Sequence, residues 1–437
     1  MSFIKNISVT FISKTIIIAI GLLTSVIVAR VLGPSGKGVL AALGAIVGIA
    51  LQFGNLGFQG ANNYFVAKDK SKALFLVGNS FWISFVIGFL LFLSFAMFLL
   101  YHPSTLGGID FRLAIIALLA IPFMLLIYLW QNILVGLNKI KYYNLILIFQ
   151  QVLYLIGAIG ILLVLKKGIF PLVIFNTFIS VIIAFIFGCY LIKIRQFSLR
   201  FNWSLAKQLL NYGFKIYLAC FFSYLVLRSD IFILNYFRGT TEAGLYSIAA
   251  NFVDGIILLP SIIALLLLPK AIENLGQSGG LIAKTARISV IIIGIICLGV
   301  VILVRPAINF MFGSMFDRSF IPLLILIPGA FFWSLGNIIS QYFAIHNHLI
   351  FVVYIWLTAT ILNIGLNIIF IPKYGMIAAA ASSLLSYFLV FALIEIYFVR
   401  DSKVGFSNII PRKKDLFFLV NLIKRWYFKH LFLSKRD

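Results

Sequence analysis

Apolar residues run along this chain in long unbroken stretches, set apart by short polar turns. They do not alternate with polar positions as they would on a half-buried soluble helix or strand. The runs predict twelve spans, at about 8–32, 38–60, 74–101, 112–136, 143–165, 168–192, 213–237, 244–269, 286–312, 321–345, 350–371 and 374–399. Each reaches the ~20 residues that a helix needs to cross ~30 Å of hydrocarbon. Lipid offers no partner to a free peptide group, so such spans must satisfy their backbone internally as helices. Asn363 and Asn367 interrupt the apolar run of 350–371, which makes it the weakest of the set. The expected fold is an all-α polytopic membrane protein with about twelve transmembrane helices.

Composition strengthens this reading. The chain is 63% hydrophobic, with a mean hydropathy of +1.13, and the spans leave no room for a separate soluble domain. The first span is too long for a cleaved signal peptide, lacks a small-residue cleavage site after it and ends at Arg30. Cys189, Cys220 and Cys297 all fall inside spans, where buried free thiols are expected rather than a disulfide or a metal site.

A net charge of +24 invites a nucleic-acid reading, which its distribution argues against. With a cytoplasmic N-terminus and twelve spans, 23 Lys and Arg fall on the inner side and 9 on the outer, where Lys37 and Arg305 are placed at the surface. The positive-inside rule then sets both termini in the cytoplasm. The excess is a topology signal and an attraction to anionic membrane lipid; no nucleic-acid partner is expected. Within 413–433, Lys414, Asn421, Lys424, Arg425 and Lys429 share one helical face, as in a helix lying at the membrane surface.

The chain divides into an N-terminal six-helix bundle (1–192), a basic cytoplasmic linker (193–212), a C-terminal six-helix bundle (213–399) and a basic amphipathic tail (400–437). The turn Gly33–Gly38 of the first half and Gly239–Gly244 of the second space two glycines alike, at an offset of 206 residues. Lys166-Lys167-Gly168 and Lys373-Tyr374-Gly375 close the last hairpin of each half at an offset of 207. Internal repeats of this kind build many transporters.

Four motifs carry a family resemblance. They are Ala29-Arg30-Val31-Leu32-Gly33-Pro34-Ser35-Gly36-Lys37-Gly38, Phe53-Gly54-Asn55-Leu56-Gly57-Phe58, Arg228-Ser229-Asp230 leading to Ala243-Gly244-Leu245-Tyr246-Ser247, and Asn363 to Gly375. In this order the chain resembles the polysaccharide-transporter or O-antigen flippase family, within the superfamily that includes multidrug and toxin exporters. Asn55 departs from the acidic residue common in the family. The resemblance implies two pseudo-symmetric six-helix bundles around a central cavity, rocking between inward-open and outward-open states. It implies a cargo of polyprenyl-pyrophosphate-linked oligosaccharide, turned across the bacterial cytoplasmic membrane. A sodium or proton gradient would drive the cycle, and other glycan-assembly proteins would be partners.

No catalytic constellation and no nucleotide-type glycine loop appears, so neither an enzyme nor a cofactor is expected. His346 and His348 are two apart, a poor spacing for shared ligation on a helix. Charges inside spans are more telling, because each is costly unless it meets water or a partner. Lys14 lies about two turns into the first span, and Lys215 at the mouth of the seventh. Arg228 and Asp254 each lie about ten residues, or ~15 Å, from the turn that joins their spans, so antiparallel neighbours can bring them together. Arg228, Lys14 and Lys215 are candidates to bind an anionic head group. Asp230 and Asp254 are candidates for a coupling-ion site or for a structural ion pair with Arg228, and these alternatives stay open. Pro260 is the candidate hinge.

A multidrug cation antiporter of the same fold is the nearest alternative, although the spans hold more basic than acidic candidates. A membrane glycosyltransferase or polymerase needs a larger outer loop than 102–111 or 313–320.

Overall fold

The computed structural model describes residues 3–346, 348–412 and 414–415. Among these, every regular element is helical. In chain order the α-helices are α1 (Phe3–Asn55), α2 (Phe58–Lys68), α3 (Ala73–Tyr101), α4 (Phe111–Leu118), α5 (Ile121–Gly136) and α6 (Ile140–Ala158). There follow α7 (Ile169–Lys193), α8 (Trp203–Glu273), α9 (Ser278–Phe312), α10 (Phe320–Ile345), α11 (Leu349–Tyr374) and α12 (Met376–Ser402).

Ten helical stretches among the described residues are long and apolar enough to cross a membrane, not twelve separate ones. The difference lies in α1 and α8, of 53 and 71 residues. At 1.5 Å per residue these run to about 80 and 105 Å, well beyond one bilayer. Each is broken by a glycine with matching backbone angles: Gly33 at φ 66, ψ −173 and Gly239 at φ 79, ψ 177. Only glycine takes such angles without steric cost. The repeat legible in the glycine spacing is therefore a repeat of backbone conformation. The second pair of turns does not match: Gly375 has φ 58, whereas Gly168 has φ −78.

Three other boundaries depart from the hydropathy pattern. The second arm of α1 stops at Asn55, because Leu56 and Gly57 turn left-handed at φ 44 and 86, and a separate helix α2 follows. A β-carbon on Gly57 would sit 2.3 Å from the carbonyl carbon of Gly213, so the turn is pressed against α8. Helix α8 starts at Trp203, ten residues inside the expected linker, where the Asn202 side chain caps the Leu205 N–H at 2.9 Å. The 112–136 span is likewise two helices, α4 and α5, with Pro122 in the first turn of α5.

The buried apolar residues separate into clusters that follow the two halves. One gathers residues from α8 onward, from Val226 to Ile409, together with Ala29 and Ala45 of α1. The others draw on α1 to α7 and the start of α8. Of the cysteines, Cys297 is buried, but Cys189 and Cys220 are exposed on the helix surface, contrary to the expectation of buried thiols. Beyond Asp415 the tail, including the 413–433 amphipathic segment, lies outside the described residues apart from Lys414 and Asp415.

Candidate functional site

The arms of α1 and α8 pack on one another, and their two turns meet at one end of the molecule. A β-carbon on Gly38 would lie 1.7 Å from the Thr240 carbonyl oxygen, and one on Gly244 would lie 1.9 Å from that of Pro34. The turns therefore touch backbone to backbone, and the Ser35 and Thr240 hydroxyls are 2.8 Å apart. From the end of the first arm of α1, Arg30 donates to the Met311 carbonyl at 2.7 Å and to that of Phe310. A cation on the terminal carbonyls of α9 also suits the negative end of that helix. The two turns and the end of α9 thus close on one another here.

Behind the seal lies a cavity of about 620 Å³ between α1, α6 and α8. Both arms of α1 and both arms of α8 contribute to its wall, which includes Lys37, Gln151, Tyr224, Arg228, Asn251 and Asp254. Arg228 Nη2 lies 2.7 Å from Asp254 Oδ2, with the two side chains 27% and 40% exposed. They form a pair on the cavity wall, not one buried between helices. Lys37 also lines the cavity, which corrects its placement at the outer surface. It follows the Gly33 turn by one helical turn, and the meeting of the two turns roofs it over.

The other sequence candidates fall elsewhere. Lys14 is exposed on α1 and does not line the cavity, although it shares a helix face with Ile18 and Gly21, which do. The Lys215 side chain lies outside the described residues, although its backbone is helical. Pro260 is buried in helical backbone, and the non-helical point of α8 is at Gly239 instead.

Asp230 faces away from the cavity into the bundle of α8, α11 and α12, and is only 2% exposed. Its carboxylate accepts from the Tyr246 hydroxyl at 2.5 Å, the Ser383 hydroxyl at 3.1 Å and the Ile231 N–H at 2.7 Å. Beside it on α8, Ser229 donates to Asn363 Oδ1 at 3.4 Å, and Asn367 Nδ2 donates to the same oxygen at 3.0 Å. Asn367 Oδ1 is buried without a partner among the described residues. Sequence alone does not mark Tyr246 or Ser383 as site residues, and for Ser383 no local signal exists, since it lies 153 residues from Asp230.

Helices of the two halves pack on one another around a mainly apolar cavity that carries the charged side chains of Lys37, Arg228 and Asp254, and the fold recurs in solved structures. The chain is similar to the lipid II flippase MurJ in an inward closed conformation, with 18% identity, 91% of this chain and 88% of that one covered, and a TM-score of 0.70. It is similar to an inward-facing multidrug resistance MATE family transporter of the MOP superfamily (14% identity, 88% and 94% covered, TM-score 0.69). A MOP superfamily transporter from Pyrococcus furiosus, described as having a binding pocket of reverse polarity, matches at 14% identity, 91% and 96% covered, and a TM-score of 0.63. At such identities the likeness shows the fold, that of the MOP-superfamily transporters. The family model for polysaccharide biosynthesis proteins matches residues 3–269. The chain belongs to that family. No curated protein sequence matches this chain.

Proposed function

We propose that the chain is a flippase that carries a polyprenyl-pyrophosphate-linked oligosaccharide across the bacterial cytoplasmic membrane by alternating access. In this reading α1 and α8 are each two crossings, giving twelve in all, with both termini in the cytoplasm and the joined turns outside. The charge asymmetry of the loops supports that orientation. The observation that carries the function is the intramembrane cavity: Lys37 and Arg228 on its wall outnumber Asp254, so its net charge suits an anionic head group. Arg228 offers directional donors to a phosphate oxygen, and Lys37 a point charge. Lys14, exposed toward the cytoplasmic end of α1, and Lys215, on the first arm of α8, would greet the head group on its way in. Lys37, beneath the seal, would be the last cation it meets before release. Pro260 would serve as a bending point within α8.

Coupling would rest on Asp230. A buried carboxylate ringed by hydroxyls, next to two asparagines with an unused carbonyl oxygen, is chemistry suited to a small cation or a proton. The family match to polysaccharide biosynthesis and the MurJ-like fold support the cargo class. The cavity's net positive charge disfavours the cation-antiporter alternative.

The test is reconstitution into vesicles that hold lipid-linked oligosaccharide extracted from the host in one leaflet. Glycan should become accessible to a glycosidase on the far side faster with the protein, and faster still under a sodium or proton gradient. Exposure no faster than in protein-free vesicles would falsify the reading.

A further inference from the structure

A second cavity, of about 320 Å³, adjoins the first, is walled by the N-terminal half and Tyr224 of α8, and shares Leu40, Gly44, Tyr154 and Tyr224 with it. Its chemistry is different. No charged side chain lines it, yet Gln52, Tyr128, Tyr154, Asn176 and Tyr224 all do. Among the described residues none of these five side chains makes a hydrogen bond. Thr177, also on its wall, is already spent on the Ile116 carbonyl at 2.9 Å. Five unpaired hydrogen-bonding groups at membrane depth are costly unless a ligand or water meets them.

The wall between the cavities is itself built for space. A β-carbon on Gly48 would fall 1.8 Å from the Tyr224 hydroxyl, so the hydroxyl from α8 occupies the room that a side chain on α1 would take. With Tyr154, this tyrosine stands where one cavity passes into the other.

We propose that the second cavity is a glycan subsite, holding a neutral sugar ring of the cargo while the charged cavity beside it holds the diphosphate. This rests on the flippase reading. In such a cargo the first sugar is bonded directly to the phosphate, so a sugar subsite must abut the cationic one, as this cavity does. The side-chain amides of Gln52 and Asn176 each offer donor and acceptor to vicinal hydroxyls. Tyrosine presents a flat apolar face to a ring and a hydroxyl at its edge. The volume sits at the small end of ligand pockets, about 300–1,000 Å³. A polyprenyl or acyl tail would leave all five polar groups unpaired, and an acidic sugar would find no cation here.

The test is native mass spectrometry of the full-length protein in detergent with two probes: bare polyprenyl diphosphate, and the lipid-linked oligosaccharide fraction extracted from the host. Gln52→Ala combined with Asn176→Ala should lower retention of the glycan-bearing lipid about tenfold or more, the loss of one to two net hydrogen bonds. Bare polyprenyl diphosphate should bind as in the wild type, which also reports that the variant is folded. Equal losses of both probes, or no loss of either, would overturn the subsite. So would a wild-type protein that retains the bare diphosphate but not the glycan-bearing lipid, and that result would leave the diphosphate reading standing. If the wild type retains neither, the flippase reading falls together with the subsite.

Discussion

Gly38 and Gly244, at equivalent places in the two halves, pack against each other's turns so closely that neither position has room for a β-carbon. The obstructing atoms are the backbone carbonyl oxygens of Thr240 and Pro34, at 1.7 and 1.9 Å from where a methyl group would stand. Backbone cannot rotate away as a side chain tip can, so any larger residue must part the turns. The seal is thus a contact between the two copies of one repeated motif.

Opening should therefore be biased by a single methyl group. Gly38→Ala or Gly244→Ala should shift the population toward a state open at this end, and Arg30→Ala, which releases the Phe310 and Met311 carbonyls, should act in the same direction. Asn251→Cys on the cavity wall, in a background with Cys189, Cys220 and Cys297 changed to serine, provides the reporter. Its labelling in intact cells by a membrane-impermeant maleimide should rise severalfold in each variant. Unchanged labelling in all three would show that the seal does not control access.

The Arg228–Asp254 pair faces the cavity, with its partners 27% and 40% exposed. A pair with that much access to water contributes about 0–1 kcal/mol, whereas breaking a fully buried one costs about 3–5 kcal/mol. Arg228→Gln and Asp254→Asn should therefore leave the melting temperature in detergent within a few degrees of the wild type. Flipping should fall at least about tenfold in Arg228→Gln, the loss of a charge-assisted contact worth about 1.5–3 kcal/mol. A large loss of stability with normal flipping would make the pair structural.

Asp230 is expected to behave in the opposite way. With Tyr246, Ser383 and its own backbone pointing donors at it, Asp230→Asn replaces an acceptor by an NH₂ group facing donors. A stability loss of about 1–3 kcal/mol should follow, read as a lower melting temperature. In vesicles the variant should also flip at a rate indifferent to the imposed gradient. Retained gradient dependence would assign coupling to another group.

The start of the tail is clamped by a pair that should respond to acid. Asp415 Oδ2 lies 2.8 Å from Arg287 Nε and accepts from the Arg412 N–H at 2.9 Å. Burial would raise the Asp415 carboxyl, but the Arg412 N–H and the Arg287 guanidinium outweigh it and hold the group below the ordinary carboxylate range. A group depressed in the folded state stabilises above its unfolded value, near pH 4, and loses that contribution as pH falls through the folded one. Protease cleavage between 403 and 415 should stay slow from pH 7 down to about 4 and quicken only below that. Asp415→Asn should quicken it already at pH 7.

Hydropathy is a local property, and it carried the chain's membrane class and the approximate ends of most helices, while glycine spacing carried the offset between its repeated turns. A run of apolar residues must be helical in lipid whatever surrounds it, and the offset of 206 residues between Gly33 and Gly239 in the sequence is the one that relates the two turns in the fold. The equal depths of Arg228 and Asp254 below the Gly239 turn could likewise be counted along the chain. What surrounds a residue could not. Lys37 is a loop lysine by sequence and becomes a cavity cation only because its turn folds beneath the opposite half's turn. The break at Leu56–Gly57 follows from the approach of Gly213, and the setting of Asp230 from Ser383 on α12. Gln52, Tyr128 and Asn176, on three different helices, share a wall only after packing. Each of these depends on which faces of distant helices meet. That is decided by steric fit between backbones and side chains far apart in the chain, and no local pattern encodes it.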